Sequence, residues 1–163
     1  MTTRVRKFAL TAHVTSSVGW LGAVAAFLAL AVTGVTSQEA PMMHAAYLAM
    51  DLTYWYVIVP LGLASLLTGL ISSLGTEWGL FRHYWVLVKL LLTIPLTILL
   101  LVHTQPVSYM AGPGLQRTLS EVDLGGLRIQ LAVYAAAALL VLLVATALSV
   151  YRPRGMTGYG TRR

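Results

Sequence analysis

The feature that most constrains this chain is a set of four long apolar segments, which take up most of its 163 residues. They cover about residues 8–35, 42–74, 84–103 and 126–151. An α-helix needs about 20 mostly apolar residues to cross the hydrocarbon layer of a bilayer. Because lipid offers no partners to backbone polar groups, such a segment must be helical. The sequence therefore predicts an all-α fold, a four-transmembrane-helix antiparallel bundle that forms a single integral membrane domain.

The composition excludes an ordinary soluble domain. Apolar residues make up 58% of the chain and charged residues 10%, against about 45–50% and about 25% in typical soluble proteins. The first apolar segment is longer than a signal peptide, so we expect it to be retained as a span. The chain has no cysteine, which excludes disulfides, thiolate metal sites and iron–sulfur clusters.

The distribution of charge predicts the orientation in the cell membrane. Cytoplasmic loops of membrane proteins are rich in Lys and Arg, and one side of this chain holds most of its basic residues against a single acid, Glu77. We therefore predict that both termini, including the basic tail 152–163, are cytoplasmic. The net charge of +6 is then an orientation signal, and we expect no binding of nucleic acid. The basic residues assigned to the cytoplasmic side are Arg4, Arg6, Lys7, Arg82, Arg152, Arg154, Arg162 and Arg163.

Ionisable residues within or beside the spans are the first candidates for function, because a charged group inside a bilayer costs several kcal/mol. His13 and Lys89 each lie about five residues from the cytoplasmic start of a span, so we expect them at the same depth. Asp51 and Arg128 lie at the outer boundary, where we predict a structural ion pair. Lys89 has three interpretations: its ammonium extends to the cytoplasmic surface, it pairs with an anionic ligand, or burial makes it neutral.

The other histidines lie nearer the surfaces of the bilayer. His103 shares a face of the third span with Lys89 but lies about 21 Å further along the helix. His44 and His83 lie near span ends, where we expect interfacial side chains in reach of water or headgroups.

Helical spacing places His13 and Trp20 on one face of the first span. Beside it runs a face of small residues, Gly19, Ala23 and Ala26, which allows close approach of another helix. The face is interpreted first as a packing surface within the bundle, and the alternative is a homo-oligomer that forms through the Gly19/Ala23/Ala26 face.

Two prolines lie inside spans. Pro60 in the second span and Pro95 in the third predict kinks. Polar and small residues, among them Gly62, Ser65 and Gly69, share one face of the second span.

The motifs of the chain resemble two groups of membrane proteins. The first span "LTAHVTSSVGWLGAVAAFLALAV", the Gly79–Lys89 stretch and the Tyr151–Tyr159 tail resemble small bacterial predicted four-span integral membrane proteins of unknown function. A first-span histidine followed seven residues later by tryptophan is also similar to copper-resistance protein D-like proteins and to the membrane-bound protoporphyrinogen oxidase that carries haem b. That second resemblance implies a haem-ligand role for His13 and a functional role for Lys89.

These observations leave open what the protein does. In the first interpretation it is a non-enzymatic membrane bundle or accessory subunit. In the alternative it is a haem-b or copper-binding redox protein: His13 is a ligand, Lys89 is a second ligand or a propionate partner, Trp20 packs on the ring, and His103 belongs to a second site. Transport of a small solute ranks last, because four helices form a pathway only when they oligomerise.

Overall fold

The computed structural model describes residues 2–74, 84–102 and 121–151. These residues are almost entirely helical and contain no strand, which confirms the all-α prediction. A π-helical segment, Tyr54–Ile58, joins the second helix to the third. The α-helices are α1 (Thr3–Thr36), α2 (Ala40–Thr53), α3 (Val59–Leu74), α4 (Tyr84–Val102) and α5 (Glu121–Tyr151).

Three helices in the described part of the chain are long and apolar enough to cross a membrane. They are Thr3–Thr36, the continuous helix Ala40–Ser73, and Gly125–Tyr151. The apolar part of α4, Val86–Val102, is shorter. The described fold is therefore compatible with a multi-pass membrane protein.

The π-helical segment ends two residues before Pro60. Proline has no N–H to donate, and its ring collides with the carbonyl four residues earlier in a regular α-helix. The N–H of Val59 bonds to the carbonyl of Tyr54, five residues back, which is the wider π turn. The predicted disturbance at Pro60 therefore takes the form of a π turn, while Pro95 lies inside α4.

Helix α1 is the central element of the bundle. It packs against α2, α3 and α5, whereas α4 packs against α3 and α5. Among the described residues α1 and α4 do not pack on each other, so they lie diagonally across the bundle. We call the end that holds Arg4, Arg6 and Lys7 the basic end, and the opposite end the far end.

The contacts of α1 with the continuous helix from α2 to α3 show that the two are antiparallel. As residue numbers rise along α1, those of its partners fall. The contacting pairs are His13 with Gly69, Trp20 with Gly62, Phe27 with Tyr54, and Gly34 with Tyr47.

Large apolar side chains cover the outside of the bundle, and a few polar side chains lie in its mainly apolar interior. Ser16, Ser65 and Thr97 are buried, whereas Leu91 and Leu140 are 72% and 64% exposed. A soluble domain shows few large apolar patches on its surface. Lipid accepts apolar surface, and small or polar side chains are typical of helix contacts in membranes.

Candidate functional site

The candidate site is a group of polar side chains inside the bundle, towards the basic end. Its residues come from four helices and are therefore far apart in the sequence. We call it the inner polar cluster, and it consists of His13, Ser17, Ser65, Thr68, Lys89 and Ser149.

His13 is held by the backbone of α3. Its Nδ1 lies 3.0 Å from the carbonyl oxygen of Ser65 and 3.3 Å from the hydroxyl oxygen of Thr68. Because a carbonyl oxygen only accepts, the tautomer is assigned with the proton on Nδ1, which donates to Ser65. In the neutral ring Nε2 then carries a lone pair. The helix contact thus fixes both the orientation and the tautomer of the imidazole.

Two glycines on α3 make room for the aromatic rings of α1. A Cβ atom at Gly69 would lie 2.9 Å from Cε1 of His13, and one at Gly62 would lie 3.2 Å from the Trp20 ring. The hydroxyls of Ser17 and Ser65 bond to each other at 2.7 Å. The polar and small face of the second span is therefore the surface that receives α1.

Lys89 reaches towards the end of α5. Its Nζ donates to the hydroxyl of Ser149 at 2.7 Å, and that hydroxyl donates to the Ala145 carbonyl at 2.8 Å. Ser149 lies two residues before the last residue of α5, Tyr151. Lys89 is also close enough to His13 to interact with it electrostatically. That His13 and Lys89 form one site stays a prediction.

Among the remaining candidate residues, the structure describes Trp20 and His44. Trp20 is 1% exposed, packs on Gly62, and its Nε1 has no hydrogen-bond partner among the described residues. His44 is exposed on α2. His103 and His83 lie outside the described residues. In the described ranges no three His, Asp or Glu side chains form a group that holds a metal ion.

The predicted oligomer face is partly used inside the chain. A Cβ at Gly19 would lie 3.1 Å from a methyl group of Leu61, and Ala23 belongs to the core cluster. Ala26 is exposed. Oligomerisation through the Gly19/Ala23/Ala26 face stays a prediction.

A second polar group lies at the far end. The hydroxyl of Tyr47 on α2 and Nε of Arg128 on α5 are both buried, and the charge of Arg128 acts on Tyr47. The predicted ion pair between Asp51 and Arg128 stays a prediction. Sequence reasoning missed Tyr47, although its place in the turn before Asp51 on the same helix was a usable signal.

Fold and site together define a helical bundle, apolar on its outside, with a polar interior at one end. No family model, curated protein or solved structure matches the chain. The resemblances to small bacterial membrane proteins, copper-resistance protein D-like proteins and the haem-b oxidase therefore stay predictions.

Proposed function

We propose that the chain is a four-span integral membrane protein of the cell membrane, with both termini cytoplasmic, that acts as a non-enzymatic bundle or accessory subunit. The observation that carries the proposal is the apolar outside of the fold, which surrounds an interior that also holds polar side chains. Apolar side chains such as Leu91 cover its outside, while Ser16, Ser65 and Thr97 are buried. Lipid is the solvent that suits such a surface.

Helix α4 is proposed as the fourth span. Its apolar part, Val86–Val102, has 17 residues, about 25 Å of helix, which is at the short end of the range for spans. The bond from Lys89 to Ser149 joins the beginning of α4 to the end of α5. The beginning of α1 and the end of α3 lie at the same end, because His13 contacts Gly69. This arrangement supports four antiparallel spans.

Exposed aromatic side chains support a membrane surface at the basic end. Phe8, Tyr84 and Tyr151 are 76%, 56% and 83% exposed. They lie near the beginning of α1, at the beginning of α4 and at the end of α5. Tyr and Trp are enriched at the headgroup level of bilayers. Together with the basic residues there, they favour a cytoplasmic basic end.

The inner polar cluster supports a structural role. His13 and Ser17 bond to α3, and Lys89 bonds to α5. Polar contacts of this kind hold membrane helices together. The cluster thus fastens α1 to α3 and α4 to α5, which an accessory bundle requires.

Labelling of single cysteines tests the orientation, since the native chain has none. Thr2→Cys and Gln38→Cys place a thiol at exposed positions at opposite ends of α1. With a membrane-impermeant maleimide on intact cells, we expect Gln38→Cys to react and Thr2→Cys to react only after permeabilisation. The reverse result contradicts the proposed orientation.

The alternative is a haem-b or copper-binding membrane redox protein. One observation favours it: Nδ1 of His13 donates to a backbone carbonyl, and ligating histidines are oriented in this way. Nε2 of His13 would then be the ligand. Lys89, near His13, would hold a propionate or be the second ligand. Haem or copper would supply one-electron chemistry.

A visible spectrum of the detergent-purified protein tests the alternative. A haem protein shows a Soret band that His13→Ala removes or shifts. The control His44→Ala, at an exposed histidine, leaves the band in place. Absence of a Soret band together with absence of copper by elemental analysis contradicts the alternative.

A further inference from the structure

Tyr47 packs between α2 and α1 at the far end. Tyr47 on α2 is 1% exposed, and its ring lies on the backbone of α1 at Gly34. A Cβ atom at Gly34 would lie 2.7 Å from Cζ and 2.8 Å from the hydroxyl oxygen of Tyr47. Arg128, near the beginning of α5, lies close enough for its positive charge to act on Tyr47. The hydroxyl is thus held in position by a close helix contact.

Two hydrogen-bond donors at this place have no acceptor within the described residues. They are the hydroxyl of Tyr47 and Nε of Arg128, and both are buried. A buried donor without an acceptor is costly, more so when it carries charge. Arg128 is close enough for its positive charge to act on the phenol. An acceptor placed between the two groups would satisfy both.

The donors determine the chemistry of that acceptor. A guanidinium is permanently charged, and its planar fork of five N–H groups matches the oxygens of a phosphate or carboxylate. Hydrogen bonds from Arg to such oxygens are among the strongest in proteins. The fork also has donors enough to bond to Asp51 and still leave Nε–H for another acceptor. The site therefore suits an oxyanion.

The depth of the site favours phosphate. Gly34 lies 14 residues beyond Trp20, which is near the middle of α1, so the two are about 21 Å apart along the helix. When the middle of α1 sits at the middle of the bilayer, as the proposed spans require, headgroups lie about 15 to 22 Å away. Phospholipid phosphate is the abundant anion at that depth.

We propose that Tyr47 and Arg128 bind a phosphate group at the far end of the bundle. The hydroxyl and Nε–H donate to its oxygens, and the guanidinium balances its charge. Binding there ties α2 to α5 across α1. The choice of phosphate over carboxylate rests on the proposed span arrangement, which the cysteine labelling tests independently.

The test is a ligand titration of the full chain, purified in phosphate-free detergent. The unfolding temperature is followed by tryptophan fluorescence while phosphatidylglycerol, inorganic phosphate, or diacylglycerol with the same acyl chains is added. We expect phosphatidylglycerol to stabilise the protein and diacylglycerol to have no effect. Stabilisation by inorganic phosphate as well identifies the phosphate group itself as sufficient, whereas stabilisation by the lipid alone identifies a headgroup site.

The variants assign the effect to the two donors. Tyr47→Phe removes only the hydroxyl, and we expect the apparent Kd to weaken by about three- to tenfold, the value of one hydrogen bond. Arg128→Gln is expected to weaken it further. The control is Tyr56→Phe, at a tyrosine that is 77% exposed, with an unchanged Kd. Equal binding by wild type and Tyr47→Phe, no stabilisation by either phosphate compound, or equal stabilisation by diacylglycerol overturns the proposal.

Discussion

Gly69 is closely packed and Gly22 is not, so the same substitution has different consequences at the two positions. At Gly69 an added Cβ would lie 2.9 Å from the His13 ring, whereas at Gly22 nothing lies within 4 Å. The first position is filled by the His13 ring, which two polar atoms of α3 hold in place. The second is open to lipid. Substitution by alanine therefore has opposite expected effects at the two sites.

We predict that Gly69→Ala destabilises the protein by about 1–3 kcal/mol, because the ring must leave its hydrogen bonds with Ser65 and Thr68 or the helices must separate. Gly22→Ala serves as the matched control and is expected to be neutral or to stabilise by up to about 1 kcal/mol through helix propensity. The measurement is the free energy of unfolding in mixed micelles with increasing denaturing detergent. Equal losses for the two variants would mean that His13 does not pack on Gly69.

At the residue scale, the sequence identifies the polar residues of the candidate site better than it identifies the residues that they contact. His13 and Lys89 could be found because an ionisable side chain in an apolar helix is unusual. Ser149 and Gly34 could not be assigned as partners, because helical phase gives the face of a residue and leaves open which helix lies opposite. Tyr47 was missed because a tyrosine in a helix has no charge to mark it.

The helical elements show where α1 meets α3. The hydroxyls of Ser17 and Ser65 are 2.7 Å apart, which fixes the register of two antiparallel helices at one point. A disulfide requires Cα atoms about 4.4–6.8 Å apart, and residues whose hydroxyls bond directly suit that spacing. With no native cysteine in the chain, a pair introduced here has no competitor.

We predict that the double variant Ser17→Cys, Ser65→Cys forms an intramolecular disulfide under mild oxidation. Cyanogen bromide cleaves after Met42, Met43 and Met50, all between the two positions. The fragments should stay joined on a gel until they are reduced. Separate fragments without reduction would contradict the register of α1 on α3.

The control for this cross-link is Ser17→Cys with Leu67→Cys. Leu67 is 58% exposed and lies on the outer face of α3, two residues beyond Ser65. Its thiol points away from α1, so we expect no cross-link at the same oxidant concentration. Efficient cross-linking of both pairs would indicate random collision rather than a fixed contact.

The elements themselves could largely be predicted from sequence. Long apolar runs give the helices, and the observed boundaries, such as Thr3–Thr36 for about 8–35, differ by a few residues. The helices extend beyond the apolar segments because charged residues at their ends are also helical. A prediction from apolar segments alone therefore starts α1 too late. The π turn at Tyr54–Ile58 is the form that the disturbance by Pro60 takes, and a proline predicts a disturbance without specifying its geometry.

On the scale of the whole molecule, the central claim is an even number of spans with both termini on one side. The bonds of His13 with α3 and of Lys89 with Ser149, together with the electrostatic interaction of Lys89 with His13, support the proposal that the beginning of α1 and the end of α5 lie at the same end. If α4 did not cross the membrane, three spans would place the termini on opposite sides. The sidedness of the two termini therefore decides between three and four spans.

The most direct measurement compares Thr2→Cys with Thr161→Cys in intact and permeabilised cells, using a membrane-impermeant maleimide. The control is Gln38→Cys, which lies between α1 and α2. We predict that both terminal thiols are protected in intact cells and react after permeabilisation, while Cys at position 38 reacts in both conditions. Reaction of only one of the two terminal thiols in intact cells would contradict the four-span bundle.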